Sequence, residues 1–175
     1  VKVDAKNNDW EDISMDTEGN LYIGDFGNNY NERKNLKIFK INKEDLTSTK
    51  RVKVQKIKFE FPEQKKFPPK KKYYDAEGFF AWNGHLYVFT KSRVKNKIGR
   101  TFLYRIPNEE GKHKAKRISN FTTCSENYCW ITGADISDDG KKMVLINNKA
   151  AWVFTDFKDD DFFSGTSQEF PFDYL

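Results

Sequence analysis

Carboxylates recur in three short segments of this 175-residue chain: Asp9-Trp10-Glu11-Asp12-Ile13, Asp75-Ala76-Glu77-Gly78-Phe79 and Thr132-Gly133-Ala134-Asp135-Ile136. If the fold brings them together, Glu11, Asp75, Glu77 and Asp135 offer the hard oxygen ligands that Ca²⁺ takes, roughly six to eight at once. Crowded carboxylates, with Asp9 and Asp12 beside them, can also serve as an acid/base pair once one pKa is raised. The plainer alternative is that each accepts backbone N–H bonds and orders its own loop without binding anything. A second set follows the next strand of each segment: Asp25, Asn28 and Asn29, then Lys91, Ser92 and Arg93, then Asn147 and Asn148. Lys91 and Arg93 suit a carboxylate or phosphate, and Asn28 and Asn29 would join them in a ligand site. Gly27-Asn28-Asn29 also reads as a plain loop with left-handed residues.

Other chemistries find no footing. His85 sits beside a turn and His113 in a lysine-rich loop, and the chain has no further histidine, so no Ser/His/Asp triad can be assembled. Two cysteines are too few for a structural zinc site alone. Gly24-Asp25-Phe26-Gly27 lacks the spacing and the following helix of a phosphate-binding loop. Lys65-Lys66 and Lys70-Lys71-Lys72 flank Phe67-Pro68-Pro69 without a companion stacking platform, so this reads as a solvated loop and nucleic acid is not an expected partner.

The elements that must position these residues are strands. Asn83-Gly84, Gly19-Asn20 and Asp139-Gly140 are tight-turn signals, each followed by an apolar run: Leu86-Tyr87-Val88-Phe89, Leu21-Tyr22-Ile23 and Met143-Val144-Leu145-Ile146. Further strands are expected over 36–41, 52–61, 101–106, 115–121 and 151–154, with a bulge or break near Gln55-Lys56 where the apolar parity changes. A turn over 43–46 is the one helical candidate, and 62–73, 109–114 and 122–130 read as loops. Acidic segment, glycine turn and following strands recur as units over about 9–61, 75–121 and 132–175. Repetition of that kind predicts a single all-β domain over 1–175, a β-propeller of four-stranded antiparallel blades with about three blades present. The segments 22–25, 87–90 and 144–146 are expected to be its corresponding inner strands. A β-sandwich is the alternative. Closed propellers typically need at least four blades, so further residues or another chain are expected to complete the ring, and the missing initiating Met agrees with a processed product or a fragment.

Composition supports a folded domain with a lean core. Sixteen Phe, eight Tyr and four Trp make 16% aromatics against 33% charged residues, too aromatic for disorder. No apolar run reaches the ~20 residues of a spanning helix, and the first residues do not read as a signal peptide. The net charge of +5 permits an anionic partner without requiring one.

The acidic segments, together with Tyr22-Ile23-Gly24-Asp25-Phe26-Gly27-Asn28-Asn29 and Ile131-Thr132-Gly133-Ala134-Asp135-Ile136-Ser137, resemble a group of secreted six-bladed propeller proteins common in Bacteroidetes. These are distantly similar to phytase-like esterases and to strictosidine-synthase and gluconolactonase-type propellers. The resemblance covers nearly the whole chain, which looks like a partial copy lacking an early blade and the closing blades. It implies a secreted, periplasmic or cell-surface protein. The expected role is a binding or scaffold module, as a subunit of an extracellular or outer-membrane assembly, membrane-associated through a partner. The alternative is a Ca-dependent ester or phosphoester hydrolase, with Ca²⁺ on Glu11, Asp75, Glu77 and Asp135. In a chain similar to secreted proteins, the even cysteine count at close spacing favours a disulfide between Cys124 and Cys129. Reduced thiols in a cytosolic chain are the alternative.

Overall fold

The structure is a computed structural model that describes residues 1–172. It is all-β: three sheets of four or more strands, one two-stranded ladder and a single 3₁₀ turn, Lys43–Thr47. The first sheet is an antiparallel meander of β2 (Trp10–Met15), β3 (Leu21–Asp25), β4 (Lys37–Ile41) and β6 (Gln55–Glu60). The second comprises β7 (Asp75–Trp82), β8 (His85–Lys91), β9 (Arg100–Pro107) and β11 (Lys116–Thr122). The third comprises β12 (Gly133–Ile136), β13 (Met143–Ile146), β14 (Ala150–Thr155) and β15 (Thr166–Pro171). Strands β1 (Lys2–Val3) and β5 (Arg51–Val52) form the separate parallel ladder. The break expected near Gln55 is the gap between β5 and β6.

A positive-φ glycine lies in the connection between the first two strands of each sheet: Gly19 (88°), Gly84 (72°) and Gly140 (69°). Asn83 and Gly84 both have positive φ (45° and 72°), the turn that returns β7 into β8 with matched twist. The remaining strand, β10 (Gly111–Lys114), departs from this plan. It lies in the chain between β9 and β11 of the second sheet, yet pairs in parallel with β6 and adds a fifth strand to the first sheet. Of the loop expected over 109–114, only Glu109 and Glu110 lie outside a strand; residues 111–114 are β10.

Sheet 2 is the middle layer, and its alternating side chains feed two separate cores. Phe79, Leu86, Val88 and Tyr104 pack toward sheet 1 against Tyr22, Phe26, Ile38 and Ile57. Phe80, Tyr87, Phe89 and Leu103 pack toward sheet 3 against Met143, Leu145, Trp152, Phe154 and Phe162. Phe26 meets Phe79 edge-to-face with ring centroids 5.4 Å apart, and Phe80 meets Phe162 likewise at 5.3 Å. Burying such a ring contributes about 2–3 kcal/mol, so the two aromatic seams hold the sheets face to face. With both faces covered, β8 is buried along nearly its whole length. Three sheets with two cores are not the single two-layer sandwich weighed from the sequence.

The first strands of the sheets also meet. Gly78 on β7 lies against the backbone of β12: a methyl group there would stand 2.8 Å from the Gly133 carbonyl carbon and 2.9 Å from the Ala134 nitrogen. On its other side β7 receives side chains from β2. The Asp12 carboxylate accepts the Phe79 N–H (3.1 Å) and the Ser14 hydroxyl accepts the Ala81 N–H (3.0 Å). These two N–H groups lie outside the β7–β8 ladder, so β2 satisfies an edge that would otherwise be bare. Residues 22–25, 87–90 and 144–146 do correspond, but each belongs to the second strand of its sheet. The strands that converge are β2, β7 and β12, which carry the acidic segments themselves.

Candidate functional site

Two irregular pairings explain where the acidic side chains go. Between β2 and β3 the register runs from Trp10 opposite Asp25 to Ile13 opposite Ile23, so Glu11 and Asp12 together face the single residue Gly24. Between β7 and β8, Ala76 lies opposite Thr90 and Gly78 opposite Phe89, which leaves Glu77 as the extra residue. Bulges of this sort re-aim side chains out of the two-residue alternation. Pairing of β12 with β13 is regular, with Asp135 opposite Val144. Its side chain is exposed and accepts the Ile136 N–H (2.9 Å). Glu11, Asp75 and Glu77 are therefore brought together and Asp135 is not.

The acids meet cations from the end of β8. Lys91 Nζ lies 2.7 Å from Glu77 Oε1. Arg93 Nε donates to Asp75 Oδ2 at 2.8 Å, and its Nη2 lies 3.5 Å from Glu77. Asp75 is fully buried, and its other oxygen accepts the Asn28 N–H at 2.8 Å. Asn28 also donates through its side chain to the Tyr74 carbonyl (3.2 Å), while its amide oxygen accepts the Glu32 and Arg33 N–H groups. Asn29 accepts a hydrogen bond from Arg93. The four residues expected to form a ligand site, Asn28, Asn29, Lys91 and Arg93, thus sit in one network that joins sheet 1 to sheet 2.

Trp130 completes the wall, and the sequence reading missed it. Lys91 Nζ lies 5.5 Å and the Arg93 guanidinium 6.0 Å from its ring centroid, within cation–π range. Its position follows from the loop before it. Cys124 and Cys129 are disulfide-bonded with Cα atoms 5.4 Å apart, and the Cys129 carbonyl accepts bonds from Thr123 (2.7 Å) and Asn147 (3.0 Å). The signal in the sequence was adjacency: Trp130 directly follows the pinned cysteine. Asn147 also accepts the Lys149 and Ala150 N–H groups, so it shapes its own turn rather than joining the network. Asp25 serves sheet 1 alone; it is fully buried between Arg33 (2.9 Å) and Lys37 (2.7 Å).

Electrostatics separate the carboxyls by role. Burial pushes Glu11 up to about 8, with the neighbouring charges of Glu77, Asp9 and Asp75 adding to it and Lys91 opposing. Gly27 makes this crowding possible, since any side chain there would collide with the Glu11 and Asp9 carboxyl groups. Burial raises Asp12 to about 6, although backbone N–H groups, Phe79 foremost, favour its charged form. Burial also raises Glu77, against the pull of Lys91. Among the described residues, no group of three or more His, Cys, Asp or Glu side chains is arranged to hold a metal ion.

A pH dependence follows for Glu11. The folded protein keeps this proton up to about pH 8, whereas an unperturbed Glu releases it near 4.5. The folded state therefore binds more protons across that window, and stability falls as pH rises through it. Solvent screening at this half-open carboxyl reduces the effect to about 1–2 kcal/mol. Glu11→Gln should equal wild type near pH 5 and exceed it by that amount near pH 8.5 in urea unfolding. No gain at the higher pH would contradict the assignment.

No protein-family model matches the chain, and no curated protein matches it.

Proposed function

We propose that the three sheets are consecutive blades of a β-propeller and that the chain is a secreted binding or scaffold module. One observation carries this reading: β2, β7 and β12, the first strands of successive sheets, lie against one another in chain order. From that junction four antiparallel strands of each sheet follow in chain order, the plan of a blade, with β10 added at the far edge of sheet 1. The binding role is supported by how the site spends its charge. Asp75 and Glu77 are engaged by Arg93 and Lys91, which leaves a paired, rigid surface beside Trp130 on which an anionic group would meet Arg93. The disulfide favours an oxidising compartment. Further blades or a partner chain would cover Ile13 and Met15 on β2 and Phe170 on β15, which are 60%, 56% and 45% exposed.

The second reading is a Ca-dependent ester or phosphoester hydrolase. Glu11 favours hydrolysis by acid/base work, because a carboxyl that keeps its proton near neutral pH can donate it, and that proton counts against Glu11 as a Ca²⁺ ligand. Calorimetry with Ca²⁺, followed by phosphoester and lactone hydrolysis assays on wild type and Glu77→Gln, separates the two. A binding module gives no Ca-dependent turnover in either protein. Tight Ca²⁺ uptake with turnover that Glu77→Gln abolishes would overturn the proposal in favour of the hydrolase.

A further inference from the structure

Away from this site, a cavity of about 690 Å³ opens on sheet 1, lined by seven lysines and a histidine against only two carboxylates. Its floor carries an unusual row. Lys37 on β4 lies directly opposite Lys58 on β6, and Lys58 lies directly opposite Lys112 on β10. Directly opposed residues of neighbouring strands share a face with roughly 4.8 Å between strands, so three ammonium stems stand side by side over about 10 Å. Lys56 and Lys114 flank the row at same-face positions, and Lys6 and Lys34 line the cavity with them. Lys37 is neutralised by buried Asp25. Among the described residues, none of Lys6, Lys56, Lys58, Lys112 and Lys114 takes part in an ion pair. Like charges directly opposed across strands destabilise a sheet. With Lys37 paired to Asp25, the remaining clash is that of Lys58 with Lys112, created by β10, which pairs in parallel with β6.

We infer that this groove binds a linear acidic polysaccharide, a chain bearing repeated carboxylate or sulfate groups. An elongated row suits a polymer with periodic charge better than a single small anion. The cations lining the groove are lysines, compact ammonium charges on flexible stems that follow a charged polymer without demanding one fixed anion geometry. Phe39 and Phe59, the aromatics in its wall, are only 1% and 4% exposed. They offer no open face for stacking bases, which single-stranded nucleic acid would use. An oxidising setting, as the disulfide favours, is also where such polysaccharides occur rather than nucleic acid.

The test is titration of a labelled sulfated oligosaccharide, a uronate oligosaccharide and a single-stranded oligonucleotide into wild type and the triple variant Lys56→Gln, Lys58→Gln, Lys112→Gln. A control with Lys65→Gln, Lys66→Gln and Lys141→Gln carries the same change of charge outside the groove. Wild type and control should bind at least one oligosaccharide, with affinity falling as salt rises from about 50 to about 200 mM. The groove variant should bind at least about tenfold more weakly. It should also melt higher than wild type without ligand, because the opposed charges are gone, while the oligosaccharide no longer raises its Tm. Absence of oligosaccharide binding, equal loss in the control, or an oligonucleotide bound as tightly as the sugars would each overturn the inference. Lys112→Gln alone, which touches only β10, should show the same direction in both readouts.

Discussion

Gly78→Val should cost about 3 kcal/mol or more and lower Tm by about 10 °C. The Gly78 Cα faces backbone, not side chain: the Gly133 carbonyl carbon and the Ala134 nitrogen would stand 2.8 and 2.9 Å from the first added carbon. Backbone held in a ladder cannot rotate away, so β7 and β12 must separate, and the aromatic seam around Phe80 and Phe162 would open with them. Gly133→Ala is the natural comparison. Its added methyl would meet only the Ile146 side chain, at 3.2 Å, and Ile146 is exposed enough to turn aside. Thermal denaturation of the two variants should therefore differ widely, with Gly133→Ala losing under about 1 kcal/mol. Equal, small losses would mean that the first strands of sheets 2 and 3 are not in contact.

Asp75→Ala should be comparably damaging, at about 3–5 kcal/mol. The carboxylate is fully buried and joins Arg93 of sheet 2 to the Asn28 N–H of sheet 1. Truncation strands that N–H and leaves Arg93 with the more distant Glu77 and with Asn29. Asp75→Asn keeps an acceptor for Asn28 and should lose less. In a double-mutant cycle, Asp75→Ala with Arg93→Ala should fall short of the sum of the single losses, as partners in one network do. Strict additivity by denaturant unfolding would show that the ion pair does not form in solution.

Much of the scaffold was legible because its signals are local. Asn83-Gly84 predicts its own turn from the positive φ that glycine and asparagine accept, and β3, β8 and β13 follow such turns as expected. Strand β10 was hidden because Gly111-Lys112-His113-Lys114 has no apolar alternation; its strand geometry comes from pairing with β6 of another sheet. Strand β15 is exposed on both faces and leaves no periodic pattern to read. The candidate site was legible in its parts but not in its grouping. Lys91, Arg93, Asn28 and Asn29 stand at equivalent strand ends, so their meeting was foreseeable from the repeat. Asp135 is grouped by sequence with Glu11, Asp75 and Glu77 as a metal ligand, yet β12 pairs with β13 without the irregularity that re-aims Glu77, and the Asp135 side chain stays exposed. The capping alternative also proved physically real: Asp12, Asp75 and Asp135 all accept backbone N–H bonds.

Amide hydrogen exchange at Phe79 and Ala81, followed by NMR, tests most directly whether successive sheets are joined through their first strands. Both N–H groups lie on the edge of β7 away from β8, where an unpartnered strand would exchange with water freely. In the arrangement described, Asp12 and Ser14 of β2 accept them at 3.1 and 3.0 Å. Both amides should then exchange slowly, at rates comparable with the β7–β8 ladder. Rapid exchange at both positions in an otherwise protected β7 would contradict the joined first strands, and with them the blade arrangement on which the proposed function rests.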